Sequence, residues 1–371
     1  MPVSMDEERI RRREKAKKRR IRNTIAFSIL TVLLLLSISS TVYMVYLYKD
    51  MDRQAREAKE KVEELETQYK DGSYITKEEA AALAAEAENN KAAEYLSFIR
   101  GTFEDGGGTL TVLEELYPDL VVVPYSEGYA FEEIDNSLKM KTWNPDAFTY
   151  PVKNEETNKH EGRASYDDGQ VTAHFGIDVS TFQGKINWNK VKNDGVEYAY
   201  MRLGYRGYDE GQLYLDKRYE DNIKGCNEVG LDCGVYFFTE AKTPSEGIEE
   251  AEYVLENIAD YSVELPIVID VETSANPSKS RTRNLTSEER TEIVIAFCER
   301  IKEAGHDVMI YGNLNSLMLM LDFDKLEDYD KWFAYYRYPI RFPYNIKMWQ
   351  YSATGDVAGV SGDCDMNLMF Y

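Results

Sequence analysis

Residues 173–371 predict an α/β barrel in which some outer helices are shortened or lost, and three observations carry that expectation. Apolar strand-like runs recur eight times, at Phe175–Val179, Tyr198–Leu203, Gly234–Phe238, Pro266–Val271, Val308–Tyr311, Trp332–Tyr336, Ile346–Tyr351 and Asp365–Met369. Amphipathic helical stretches stand between several of them, notably Arg218–Val229, Ser245–Asn257 and Ser287–Ala304. No Gly-rich dinucleotide or phosphate loop follows the first strand, which argues against an open doubly wound sheet.

The run Leu265 to Thr273 is the centre of this pattern. It opens on Pro266, is rich in β-branched residues and reads as a strand buried on both faces. It ends in Asp270 and Glu272. Side chains alternate along a strand, so the two carboxylates share a face, their backbones about 6.6 Å apart. Two acids at such a spacing are able to divide the work of cleaving a glycosidic bond, and the carboxyl end of a barrel strand is where barrel enzymes hold their chemistry.

Asp178 closes the first strand and Asp365 opens the last. A closed barrel makes those strands neighbours and so brings the two acids together. Tyr205, Tyr236, Tyr336, Trp349 and Tyr351 lie near these strand ends and are of a type that stacks on sugar rings. Each taken singly is better suited to core or rim packing; the group favours a carbohydrate cleft.

Charge is divided unevenly over the 371 residues. Residues 1–23 hold 10 Lys and Arg against 4 Asp and Glu, while the rest hold 34 against 62, within a net charge of −22. Thr24–Tyr48 is free of charge for 25 residues. At about 1.5 Å per residue such a helix crosses a bilayer with some tilt. The basic tail 1–23 then orients the amino terminus to the cytoplasm and the remainder outside. A cleaved signal peptide ending near Ser37–Ser40 is the alternative, but the apolar stretch is longer than the roughly 7 to 15 residues of an ordinary signal core. The basic cluster is read as an orientation signal, and nucleic acid is not an expected partner.

Met51, Ala55, Ala58, Val62, Leu65 and Tyr69 form a helical seam, so residues 49–91 read as a stalk whose short seam supports only weak self-association. Thr76 and Glu79 form a capping box for an alanine-rich helix. Residues 92–142 read as a small α+β module, with a helix at Leu110–Tyr117 and the strand Leu120–Val123. Residues 143–172 are polar and read as a linker.

Other chemistries fit less well. His160, His174 and His306 are too scattered for a histidine metal site or an obvious triad, and no cofactor is expected. The four cysteines, Cys226, Cys233, Cys298 and Cys364, allow three disulfide pairings without distinguishing them.

His174–Tyr371 resembles the lysozymes of glycoside hydrolase family 25. The resemblance rests on Gly176-Ile177-Asp178-Val179-Ser180, Arg202-Leu203-Gly204, Gly230-Leu231 with Gly234-Val235-Tyr236, Asp270-Val271-Glu272, Tyr311-Gly312-Asn313, Trp332 to Tyr336, Trp349-Gln350-Tyr351 and Asp365-Met366-Asn367. It implies a modified (β/α)8 TIM-like barrel that cleaves the β-1,4 bond between N-acetylmuramic acid and N-acetylglucosamine in peptidoglycan. Carried over by position, Glu272 is the general acid and Asp270 the second carboxylate. Asp178 and Asp365 position substrate and tune the pair, while Tyr236, Arg202, Tyr205, Tyr336 and Trp349 belong to the sugar site. Retention, inversion and substrate assistance all stay open.

The stalk and membrane span have no counterpart in the free lysozymes. They imply an enzyme confined to wall near its own membrane, for local remodelling or for opening the wall to a secretion or transfer apparatus. A non-catalytic wall-binding scaffold is the competing expectation, against which the full set of four carboxylates argues.

Overall fold

A computed structural model describes residues 53–56, 58, 59, 61, 77–104, 108–154, 159–274 and 276–371. The basic tail, the apolar span 24–48, most of the stalk seam and Thr76 of the capping box lie outside the described residues. Among the described residues no helix is long and apolar enough to cross a membrane. The chain divides into two units, Met1–Gly106 and Gly107–Tyr371.

In the first unit, helix α1 (Lys77–Glu104) runs for 28 residues. It crosses the expected stalk–module boundary at residue 91 because nothing there stops it: the segment has no proline, and Gly101 alone costs a helix only about 1 kcal/mol. The expected module 92–142 is therefore divided between the two units.

The second unit begins with α2 (Thr109–Leu116) and a hairpin of β1 (Leu120–Tyr125) and β2 (Gly128–Glu133), paired antiparallel from Leu120↔Glu133 to Tyr125↔Gly128. Val121 and Val123 belong to the same buried cluster as the outer face of the barrel. Buried Glu114 accepts hydrogen bonds from Arg337 at 2.9 Å and from the Tyr335 hydroxyl at 3.2 Å, and Arg337 also reaches Thr111 at 2.6 Å. This part of the chain is fastened to the barrel.

Residues 143–172 correct the linker expectation. They carry β3 (Phe148–Thr149) paired with β6 (Ser165–Tyr166), and β4 (Val152–Asn154) paired with β5 (Lys159–Glu161). Their few aromatics go to the core: the Trp143 ring stacks on Phe370 at 6.1 Å, and Phe148 meets Trp349 at 5.6 Å and Phe370 at 6.1 Å. A polar average concealed these anchors.

The barrel follows, with β7 (Ala173–Val179), α3 (Trp188–Asn193), β8 (Tyr198–Arg206), β9 (Leu213–Leu215), α4 (Tyr219–Val229), β10 (Asp232–Phe238), α5 (Pro244–Ile258), β11 (Ile267–Asp270), α6 (Ser287–Glu303), β12 (Val308–Asn313), β13 (Asp330–Ala334), β14 (Met348–Gly355) and β15 (Cys364–Phe370). Strand β8 pairs with both β7 and β10, which closes the sheet in the order β7, β8, β10 to β15 and back to β7. The ladders from β7 to β14 are parallel, whereas β15 is antiparallel to both of its neighbours; β9 is appended to the edge of β8.

Local sequence sets the helix ends. Thr243 caps α5 and is followed by Pro244, Thr286 and Glu289 form a capping box on α6, and Gly230 ends α4 in the left-handed conformation at φ 65°. No α-helix connects β13, β14 and β15. The outward rings of β14 and β15 are covered by residues 143–172 instead.

Strand alternation fills the barrel. Tyr198, Tyr200, Val268, Met309, Trp332, Met348 and Met369 form one buried cluster inside it, and the intervening residues face the outer layer. Gly176 and Gly234 make room for the interior tyrosines: a Cβ on Gly176 would stand 2.2 Å from the Tyr198 ring, and one on Gly234 would stand 2.3 Å from Tyr200. Cys226 is bonded to Cys233, while Cys298 and Cys364 are free and buried.

Candidate active site

The four acids share the inward parity of their strands and collect at one mouth of the barrel. Asp178 ends β7, and the antiparallel register sets it directly opposite Asp365 on β15. Asp270 lies beside Tyr311 of β12 in the parallel ladder, and Glu272 follows two residues later on the same face. Because β15 runs against its neighbours, the start of that strand reaches the end where the parallel strands finish.

Asp178 is 4% exposed, and its Oδ2 accepts hydrogen bonds from Gln350 Nε2 at 2.7 Å and Asn367 Nδ2 at 2.9 Å. Burial raises its pKa to about 6, while the two amides pull it down. Asp270 is 5% exposed, and its Oδ1 has no hydrogen-bond partner among the described residues. Burial, then the charges of Glu272 and Asp178, push it well above the usual carboxylate range, with Arg202 acting the other way.

Glu272 keeps a partly exposed side chain. Burial and the charge of Asp178 raise it to about 7, opposed by the Tyr311 hydroxyl 3.5 Å from its Oε1. Asp365 is raised to about 8, by burial and then by Asp178, Glu272 and Asp363. These acids cannot all ionise together near neutrality, so the group retains protons. Glu272 is a carboxyl that holds a proton near pH 7 and that a ligand can reach.

A polar chain steadies the group. The hydroxyls of Tyr311 and Tyr336 donate to Gln350 Oε1 at 2.9 and 2.6 Å, and the amide of Gln350 passes the connection to Asp178. Trp332 Nε1 donates to Asn367 Oδ1 at 2.8 Å, which orients that amide toward Asp178 as well. On the other side of the mouth, Arg202 donates from Nε and Nη2 to Asp216 Oδ2 at 2.8 and 2.6 Å, under the ring of Tyr205 at 5.5 Å and that of exposed Phe182 at 5.1 Å. Tyr236 stands edge-on to Trp332 at 5.9 Å. Among the described residues no group of three or more His, Cys, Asp or Glu is arranged to hold a metal ion.

The family model described as Glycosyl hydrolases family 25 matches residues 177–360, a span that holds Asp178, Asp270 and Glu272. Those residues form a family 25 glycosyl hydrolase domain. Lysozyme M1 of Streptomyces globisporus is 33% identical over 211 residues, which cover 52% of this chain and 66% of that protein. An autolytic lysozyme of Clostridium acetobutylicum is 31% identical over 196 residues, covering 52% and 54%. The chain thus spans just under two thirds of the first relative and about half of the second. The crystal structure of a bacterial lysozyme from Streptomyces coelicolor aligns at 31% identity over 53% of this chain and 92% of that one, with a TM-score of 0.45.

Within the family 25 domain, the expected site residues fare differently. Asp178, Asp270, Glu272 and Asp365 meet at one mouth, with Arg202, Tyr205, Tyr236 and Tyr336 around them. Trp349 is a correction: it is 0% exposed, donates from Nε1 to Tyr335 O at 2.7 Å and packs outward among Phe148, Tyr150, Tyr338 and Tyr351. Its parity on β14 is opposite to that of Gln350, so it cannot face a sugar in the cleft. Gln350, Asn367, Tyr311 and Asp216 join the site without a role expected from sequence. Parity sets Asn367 on the face of Asp365 and Gln350 on that of Met348, but it places a side chain on a face without giving it a role.

Proposed function

We propose that this protein is a peptidoglycan hydrolase of the muramidase type, cleaving the β-1,4 bond between N-acetylmuramic acid and N-acetylglucosamine. The observation that carries this reading is Glu272, a reachable carboxyl raised to about 7 beside three further buried or half-buried acids. Glu272 gives its proton to the leaving glycosidic oxygen. Asp270 stabilises positive charge growing at the sugar ring or orients the substrate's acetamido group; that growing charge acts on Asp270 in the same direction as Arg202 does. Asp178, fixed by Gln350 and Asn367, and Asp365 set the protonation of the pair. Tyr236, Tyr205, Tyr336 and the Arg202 side chain line the sugar path.

The enzyme is held at the outer face of the cell membrane by residues 24–48 and acts on nearby wall, for local remodelling or to admit a secretion or transfer apparatus. The charge-free span behind a basic tail supports this placement, and the Cys226–Cys233 disulfide fits an oxidising compartment. Fractionation of cells making the full chain and a chain lacking residues 1–52 tests it: the first belongs in the membrane fraction and the second does not.

Activity is tested on purified peptidoglycan with the full-length protein and its Glu272→Gln variant, the new ends being identified by mass spectrometry. Reducing N-acetylmuramic acid ends from the parent, with a loss of at least about a hundredfold in the variant, is the expected result. A folded parent that binds wall and releases nothing would instead favour a non-catalytic wall-binding scaffold.

A further inference from the structure

A second cleft, of about 300 Å³, lies between the loop after β10 and the loop before α6, lined by Lys242, Lys279, Arg281 and Arg283 together with Asp209 and Glu289. Four cations against two acids run counter to a chain whose net charge is −22. Glu289 is already engaged, accepting from Thr286 N at 2.9 Å in the helix cap. Lys242, Lys279 and Arg283 are exposed, and the two lysines have no acidic partner among the described residues.

The arch carrying these groups is fixed from below. Ser280 and Thr282 donate their hydroxyls to buried Glu240 at 2.7 and 3.0 Å, and Arg281 N donates to Tyr208 O at 2.8 Å. The Arg281 side chain is braced by Glu246 at 2.8 Å, and its Nη1 is buried with no acceptor among the described residues. Arg283 Nη1 donates to Ser280 O at 2.9 Å. A preformed arch that carries exposed Lys242, Lys279 and Arg283 is suited to an oxyanion.

Its position connects it to the carboxylates. Thr239 N donates to Asp270 O at 3.1 Å, and Lys242 lies three residues further on. Three residues span at most about 11 Å, so the Lys242 backbone stands within about 15 Å of that of Asp270. A peptide of three to five residues, at up to about 3.5 Å each, covers such a distance.

We propose that this cleft binds a free carboxylate of the peptide borne by the muramyl residue, so that the enzyme prefers glycan with un-amidated stems. The proposal rests on the muramidase reading and names which form of that substrate is taken.

The test compares the full-length parent with a Lys279→Ala/Arg283→Ala double variant on wall-polymer-free peptidoglycan, on the same glycan stripped of peptide, and on walls retaining phosphodiester polymers. The expected result is a roughly five- to tenfold rise in KM on stem-bearing glycan, an unchanged kcat, and unchanged KM on stripped glycan. Recovery in Lys279→Arg/Arg283→Lys would show that charge is what matters. Equal losses on both glycans, or no loss on either, would overturn the proposal, as would a loss confined to walls with phosphodiester polymers, which assigns the cleft to phosphate. Titration of a soluble muramyl peptide and its amidated form reads the cleft apart from turnover. Tighter binding of the free acid by the parent, lost in the double variant, upholds the site even if no glycan is cleaved. Equal binding of the two forms sinks it.

Discussion

Glu272 and Asp178 are coupled through charge, and that coupling fixes the sign of two predictions. A general acid must be protonated, so activity should fall as pH rises through about 7, where Glu272 loses its proton. The charge of Asp178 is one cause of the raised value, and removing it in Asp178→Asn lowers the pKa of Glu272. The alkaline limb of kcat/KM should therefore move to lower pH in that variant; a limb that stays in place or moves upward would reject the coupling. The same shift has a stability sign. Glu272 is raised above its ordinary 4.5 in the folded chain, so its contribution is present at low pH and is lost as pH rises through about 7. Glu272→Gln should melt above the parent at pH 8 and close to it at pH 5, as thermal unfolding at the two pH values will show.

Single strands divide their residues between two environments, and the division determines what a substitution does. Gly176 on β7 faces the ring of Tyr198 inside the barrel, and a methyl there would stand 2.2 Å from a buried ring that has no room to retreat. Gly176→Ala should cost about 1 to 3 kcal/mol, measured as a shift in the denaturant midpoint. Trp349 on β14 points outward into an aromatic layer, so Trp349→Ala should cost about 3 to 5 kcal/mol with little change in KM. A KM defect at full stability would return Trp349 to the sugar site. The same alternation explains the partial legibility of the site. Asp270 and Glu272 were visible because they end a continuous apolar run. Gln350 and Asn367 were not, because an amide within a strand has no charge signal and their partner lies 172 and 189 positions away.

The molecule as a whole covers its barrel in two ways. Helices α4, α5 and α6 shield the parallel strands from outside, but no α-helix lies in the connections from β13 to β15. Trp143, Phe148 and Tyr166 cover Phe370, and Phe148 and Tyr150 cover Trp349. A chain beginning at Gly108 should retain this cover and the contacts of Glu114 with Arg337 and Tyr335. One beginning at Ala173 exposes the aromatic outer faces of β14 and β15. It should melt lower and aggregate, as calorimetry and light scattering on the two truncations will tell; equal melting would mean that residues 108–172 are dispensable.

By itself the amino-acid sequence determined the barrel strands, the principal helices and the acids at the strand ends, because burial on two faces and strand parity are written in local hydrophobic pattern. It also determined the charge-free span and its basic flank, which are properties of composition. Tertiary structure alone decided that residues 143–172 are part of the core, since a few aromatics outweigh a polar average once uncovered strands are near. It decided that Asp178 stands opposite Asp365, because the register of an antiparallel closing strand joins residues 187 positions apart. It also separated the two roles of β14, Gln350 inward to the carboxylates and Trp349 outward to the aromatic layer, which depends on what packs against each face of the strand.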